Sequence, residues 1–389
     1  MNMIINLPNI KPSNSHIVCR RCVMDTSDPT IKFDSGGVCD YCHHYDQNIK
    51  KLVSTKHLGP RDDYKKISKL INQGCNEQES DCLVGFSGGL DSSWLLHLLV
   101  TDIGVHPLVV HVNGGWDNAQ ACDNIRKIVE QLNLNFHTIV IDWQEMRNIQ
   151  LAFFKADVPF LDVPQDMAFF SALYDFAIGA NIKKVITGAN YVTECVREPE
   201  AWGAYPGNDP RYVKAITKSY GQHSIGTFPM RSSINSRIID RYLRGLKIYK
   251  PLNYYNYSMK TAEGILEQNY GWRKFPAKHH ESTFTKFIEG YWLPYRFDVD
   301  RRKAHLSSLI LTEQLSREEA IKLLKEPAYP TEQIRYDFSY IADKLEISEG
   351  EFLNLLTRPR YYTNIRSSKF LGYLANVQSL VSKEKRYYK

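Results

Sequence analysis

Three groups of residues in this chain have types and spacings suited to chemistry. The first is "VGFSGGLDSS", Val84 to Ser93. The apolar run "CLVGF" (Cys82 to Phe86) reads as a short buried strand bounded by glycine. The "SSWLLHLLV" that follows places Trp94, Leu95, Leu98 and Leu99 near one face of a helix. Between them, Gly88 and Gly89 admit backbone angles and a close ligand approach that other residues resist, and Ser87, Ser92 and Ser93 add hydroxyls. A helix starting here aims its free N–H groups and dipole at the loop, which makes an anion site with phosphate as the natural guest. The common P-loop is excluded, because no Gly-Lys-Ser/Thr follows. The bland alternative is a strand-to-helix turn capped by Asp91 or Ser92.

The second group is a pair of knuckles, "CRRC" (Cys19, Cys22) and "CDYC" (Cys39, Cys42), with 16 residues between them. Four thiolates at this spacing predict a tetrahedral zinc site that leaves no position open for catalysis, and so a structural one. Disulfides are the alternative, and His43 or His44 could replace one thiolate. Cys75, Cys82, Cys122 and Cys195 are scattered.

The third group joins "KHHESTFTKF" and "FDVDRRKAHLSS", which concentrate Lys278, His279, His280, Glu281, Lys286, Arg301, Arg302 and His305. Adjacent cations and imidazoles suit a diphosphate or sugar substrate; the histidine spacing does not match the metalloprotease helix. A charged helix face is the plain alternative. Glu194 and Cys195 in "TGANYVTECV" follow a strand end. Glu194 would orient a nucleophile, bind a substrate group or be a solvated loop acid. Cys195 reads as a buried thiol.

These residues need a scaffold. Strand-like and helix-like segments alternate from about residue 75 to 260: "HPLVVHVNGGWDN", "AQACDNIRKIVEQLNL", "NFHTIVID", "QDMAFFSALYDFAIGAN" and "KKVITGAN". Such alternation predicts a parallel sheet covered by helices, with ligands at the C-terminal strand ends. Those ends are Ser87 to Ser93, His111 to Gly115, Asp142 and Thr187 to Asn190. We expect three segments: a zinc-binding module (1–60), the α/β domain (61–260) and a mainly helical substrate or partner region (261–389). "DDYKKISKLINQG" reads as a linking helix ending at a glycine, and "SREEAIKLL" as a capping box closed by Ser316 and Glu319. The last sixty or so residues carry no usable motif.

Hydrophobic residues make up 43 % of the 389, which argues against disorder. No apolar run approaches the ~20 residues of a membrane span, and the N-terminus makes a poor signal peptide, so a cytoplasmic protein is expected. A net charge of +6 suits anionic small molecules and does not demand nucleic acid.

The "SGGLDSS" loop resembles the pyrophosphate loop (PP-loop) of the ATP pyrophosphatases. The resemblance implies that Ser87, Gly88, Gly89, Leu90, Asp91, Ser92 and Ser93 hold pyrophosphate, with Asp91 near Mg²⁺, and that Val110, His111, Val112, Thr187 and Gly188 lie about the adenosine. Three blocks together, "CRRCVMDTSDPTIKFDSGGVCDYC", "GFSGGLDSS" and "KHHESTFTKFIEGYWLP…RRKAHLSSLIL", resemble the N-acetyl sugar amidotransferase family of bacterial surface-polysaccharide pathways. The match spans about Cys19 to Leu324.

That resemblance implies a PP-loop ATP pyrophosphatase core (adenine nucleotide alpha hydrolase-like) with an N-terminal zinc module and a helical C-terminal region. It implies an AMP-forming ATP-dependent conversion of an acetamido to an acetamidino group on a nucleotide-linked N-acetyl sugar. Asp91, Ser92, Glu194 and Lys278 would be catalytic. Glu194, His279, His280, Glu281, Lys286, Arg301 and Arg302 would bind the sugar. The cofactors would be ATP, Mg²⁺ and Zn²⁺. Ammonia would come from a separate class I glutaminase subunit, since no Cys here sits in a Gly-x-Cys-x-Gly elbow; neither nucleic acid nor membrane insertion is expected. Two alternatives stand beside this reading. One is a PP-loop tRNA-thiolating enzyme, which needs sulfur-handling cysteines near the site. The other is a non-catalytic nucleotide-binding partner that regulates a glutaminase.

Overall fold

The computed structural model describes residues 7–10, 16–53, 59–60, 63–73, 82–203, 209–232, 235–256 and 258–360. The apolar runs form five strands: β1 (Cys82–Gly85), β2 (Leu108–Asn113), β3 (Phe136–Val140), β4 (Lys184–Ile186) and β5 (Lys247–Tyr249). They make one parallel sheet in the order β3-β2-β1-β4-β5. Leu83 pairs with Leu108 on one side and Val185 on the other, so β1 is central. Cys82, Leu83 and Val84 are fully buried, as a strand covered on both faces requires.

The strand order reverses between β1 and β4. From β1 the chain moves outward through β2 and β3, then crosses back to β4 and β5. The loops leaving β1 and β4 therefore diverge and open a crevice at their C-terminal ends, where ligands of such sheets bind.

Helix α1 (Leu90–Leu98) follows the Ser-Gly-Gly loop. Trp94, Leu95, Leu96 and Leu98 are all buried, so more of its circumference is covered than the single face read from the spacing. The later helix Met259–Tyr270 packs on it, and the Tyr270 hydroxyl lies 2.7 Å from His97 Nδ1. Helix α2 (Ala119–Gln131) is capped by Asn118 and helix α3 (Trp143–Ala156) by Asp142. Asp142, taken from the sequence as a strand-end ligand position, thus spends its carboxylate on the Glu145 N–H at 2.9 Å. Helix α4 (Val163–Gly179) precedes β4.

The C-terminal region is mainly helical among its described residues. It includes α5 (Arg302–Leu311), α6 (Arg317–Lys325), α7 (Thr331–Lys344) and α8 (Glu349–Thr357). The capping box of Ser316 and Glu319 opens α6. The linking helix runs Tyr64–Asn72; its glycine, Gly74, lies outside the described residues, as do Cys75 and 361–389.

The cysteine module is joined to this helical region. Cys19, Cys22, Met24, Cys39 and Cys42 share one apolar cluster with Phe284, Trp292 and Phe352. Arg317 at the start of α6 donates to the carbonyls of Cys19 (2.8 Å) and Cys22 (3.1 Å). Lys303 on α5 pairs with Asp25 at 2.6 Å, and Ser307 accepts the Val23 N–H at 3.2 Å. Among the described residues no helix is long and apolar enough to cross a membrane.

Candidate active site

The loop after β1 is shaped to take an anion. Gly88 has φ +78°, and a Cβ there would stand 2.9 Å from the Ala121 carbonyl, so a larger residue is strained twice over. Its carbonyl is turned outward and accepts from the Trp272 indole at 3.0 Å and from Asn124 at 3.4 Å. Gly89 is the N-cap of α1 and no side chain caps the helix. The N-terminal N–H groups and dipole of α1 are thereby aimed at the loop, a favourable place for an anion. Ser87 and Ser92 face each other across the loop, Oγ to Oγ 3.3 Å. Ser93 differs from the expectation: its hydroxyl is buried away from the loop face, and its N–H donates to the Gly89 carbonyl at 3.0 Å.

The two divergent loops touch. A Cβ on Gly188, after β4, would lie 3.1–3.2 Å from the backbone of Asp91 and Ser92, so glycine permits this approach. Thr187 extends the sheet by donating its N–H to Tyr249, and Val112 is half-buried at the end of β2. His111 is buried with Nδ1 2.8 Å from the Phe86 carbonyl and Nε2 2.8 Å from Asp117. Burial opposes its charge, but Asp117 outweighs burial and raises the imidazole above its usual range. Both ring nitrogens of His111 are therefore occupied.

Beyond the loop lies a cavity of about 810 Å³. Four side chains form the boundary between the two. Thr193 donates to Asp91 at 3.0 Å. Lys278 donates to Glu194 at 2.7 Å and to the Thr193 hydroxyl at 3.4 Å, and its Nζ is 3.8 Å from Asp91. Burial opposes the Lys278 charge, but Glu194 and then Asp91 outweigh it and hold the ammonium above its ordinary range. Asp91, Glu194 and Lys278, singled out separately in the sequence, thus meet at one point. Thr193, which completes the contact, was missed; its signal was its place beside Glu194 in a turn capped by Asn190.

The basic segment is divided. His279, His280, Arg301 and Arg302 line the cavity with His305. Burial pushes His280 and His305 down to about 4, whereas the His279 side chain is 47% exposed. The His280 and His305 imidazoles beside the cations are therefore neutral at pH 7. Lys286 faces elsewhere: it is buried, 2.8 Å from Asp337 and over the Tyr329 ring. Arg302 pairs with Asp300 at 2.7 Å and holds the carbonyls of Leu323 and Glu326. Glu281 lies against the phosphate loop, with Oε1 3.1 Å from where a Gly89 Cβ would be. Burial pushes its carboxyl up to about 7.

Arg301 is the centre of a group the sequence did not reveal. It meets Glu198 at 2.5 Å, Glu289 at 2.9 Å and Asp162 at 3.3 Å, above the Phe160 ring. With three carboxylates sharing one guanidinium, burial pushes Glu289 up to about 8. These acids come from separate helices and loops, so spacing carried no signal of their meeting.

The four cysteine sulfurs lie within 4.8 Å of one another and could hold a metal ion. Three of their separations are 3.6, 3.6 and 3.8 Å. Bonds of ~2.3 Å to a tetrahedral metal would set sulfurs about 3.8 Å apart. Backbone N–H groups of Arg21, Cys22 and Cys39 point at the Cys19 sulfur. Cys195 is buried with its thiol pushed up to about 12 by burial.

A parallel sheet of this order, with a Ser-Gly-Gly-x-Asp-Ser loop at the end of its central strand, is the arrangement that the resemblance to PP-loop proteins leads us to expect. Residues 281–377 match the family model described as LPS biosynthesis protein WbpG-like, C-terminal domain. The chain therefore carries a WbpG-like C-terminal region, in agreement with the resemblance read from its sequence blocks. No curated protein matches the chain. Three solved structures are similar to it in part. NMN synthetase from Francisella tularensis has 15% identity over 56% of this chain and 97% of its own, TM-score 0.28. The U34-tRNA thiolase NcsA from Methanococcus maripaludis, with its 4Fe-4S cluster, has 13% identity over 80% and 89%, TM-score 0.32. The NH3-dependent NAD synthetase from Campylobacter jejuni subsp. jejuni has 15% identity over 77% and 97%, TM-score 0.28. Likeness this faint says nothing of substrate, and the assignment of the core rests on its strand order and loop.

Proposed function

We propose that this chain is a cytoplasmic, AMP-forming amidotransferase that converts the acetamido group of a nucleotide-linked N-acetyl sugar to an acetamidino group for surface-polysaccharide synthesis of the O-antigen type. The observation that carries the reading is the junction of Asp91, Thr193, Glu194 and Lys278, which joins an anion-binding loop directly to a cavity large enough for a sugar. The WbpG-like match supports the pathway.

An amide oxygen is a poor leaving group. In the first step it attacks the α-phosphorus of ATP, and the bond to pyrophosphate breaks. Ser87, Ser92 and the N-terminal end of α1 hold the departing pyrophosphate, and Lys278 offsets charge that builds beside Asp91. Glu194 keeps the Lys278 ammonium in place. Mg²⁺ held by Asp91 would supply further charge neutralisation on the phosphates. In the second step ammonia attacks the same carbon, the C–O bond breaks, AMP leaves with the oxygen, and the amidine keeps the nitrogen. Ammonia is mostly protonated at neutral pH, so a class I glutaminase partner is the expected supply. The cysteine tetrad is best suited to a structural zinc, given its sulfur separations.

Thiolation of tRNA is the weaker reading. Among the described cavity-lining residues Cys195 is the one cysteine, and its thiol stays protonated. The test is mass spectrometry of a reaction with ATP, Mg²⁺, ammonium and a panel of UDP-linked acetamido sugars. A product lighter by the difference between O and NH, formed with AMP, supports the proposal. AMP formed with an unchanged sugar counts against it.

A further inference from the structure

The cavity has a wall that the PP-loop core does not supply. The short helix Asp40–His44, which carries the last cysteine of the tetrad, lines it with Tyr41 and His44. This wall is built and held in place. The Tyr41 hydroxyl donates to Asp28 at 2.7 Å, and Asp28 is fully buried. His44 Nδ1 lies 3.2 Å from the Asn48 amide, in the turn that continues the helix. The module is pinned to α5 by Lys303–Asp25 and Ser307–Val23. The same helix α5 turns Ala304 and His305 into the cavity. One face of α5 therefore grips the module while another lines the site.

We infer that the helix Asp40–His44 of the cysteine module is an acceptor-binding element, with His44 and the Tyr41 ring contacting the uncharged, hydroxyl-bearing part of the acceptor. The inference rests on the proposed sugar substrate. With Nδ1 accepting from Asn48, the His44 ring has its Nε2–H to donate to a ring hydroxyl, and a tyrosine ring offers an apolar face to the C–H side of a sugar. Asp40, on the same helix and also lining the cavity, adds a carboxylate that accepts hydrogen bonds from hydroxyls. The module then does more than support the fold: bound metal, by ordering the Cys39–Cys42 knuckle, shapes the acceptor site.

The test compares wild type with His44→Gln in the full chain. Isothermal titration measures UDP-linked acetamido sugars and, separately, ATP; elemental analysis measures metal content. The expected result is a sugar affinity weakened by about tenfold, the scale of one lost hydrogen bond in a desolvated site, with ATP affinity and metal content unchanged. Equal sugar affinity in the variant overturns the inference. So does a parallel loss of sugar and ATP affinity, since a purely structural role would move both. If wild type binds none of the sugars, the substrate class itself falls, and this inference falls with it.

Discussion

Lys278→Met keeps the side-chain stem and deletes the charge at the junction between the phosphate loop and the cavity. In the structure the ammonium is 2.7 Å from Glu194 and 3.8 Å from Asp91. Two unit charges about 4 Å apart interact by about 4 kcal/mol at an effective dielectric of about 20. If half a charge develops on the adjacent phosphate oxygens in the transition state, Lys278 contributes about 2 kcal/mol, or roughly thirtyfold in rate. Loss of a donor aimed at a developing oxyanion costs about 10²–10³ in kcat. The expected fall is therefore roughly a hundredfold in kcat for AMP release, with a much smaller change in ATP affinity, because Glu194 already balances the charge in the ground state. Glu194→Gln alone should lower kcat less, and in the Lys278→Met background it should add little, because Glu194 acts through Lys278. A Lys278→Met enzyme within about threefold of wild-type kcat, or additive losses in the double variant, would refute the assigned roles.

Three further outcomes are expected. Purified protein should hold about one metal ion per chain, zinc by the sulfur geometry, and Cys19→Ser with Cys39→Ser should lose it; unchanged metal content would point to another ligand set. Above about pH 7.5 histidines are nearly all neutral in the folded and the unfolded chain, while Glu281 (about 7) and Glu289 (about 8) still hold part of their protons in the folded chain that the unfolded chain has released. The folded state then binds more protons, so stability falls as pH rises from about 7.5 to 8.5. Thermal melts should record a falling Tm over that window, less steep in Glu289→Gln, and a flat or rising Tm would contradict the assigned burial of these acids. Lys286→Met strands the buried Asp337 and should cost about 3 kcal/mol in urea denaturation, while leaving sugar affinity unchanged in the folded fraction; a selective loss of sugar binding would return Lys286 to the site.

Much of the fold was legible because it depends on local pattern. The apolar run before Gly88, the Ser-Gly-Gly-x-Asp-Ser loop and the leucines after it specify strand, anion loop and helix from neighbouring residues alone. The capping box at Ser316 and the two Cys-x-x-Cys knuckles are legible for the same reason, since each is closed within a few residues. Helix α3 and strand β5 were not read, and Asp142 was assigned to a ligand position when it caps a helix.

Long-range packing decided the rest. Sequence brought Lys286 and Arg301 forward equally, as cations in one basic region. Packing buried Lys286 against Asp337 and set Arg301 among Glu198, Glu289 and Asp162 at the cavity. Charge alone does not distinguish these fates, because a long side chain's role depends on which acids the fold brings within about 4 Å. Thr193 and the cavity wall at Tyr41 and His44 have the same origin. They exist as parts of a site only when loops far apart in the chain meet. The sequence by itself determined the chemistry available here: an anion loop, a thiolate tetrad and a basic acceptor segment. Only the tertiary structure decided which of those groups face one another, since a functional site requires several side chains to converge in space and local sequence spacing encodes contacts only within a turn, a knuckle or a helix face.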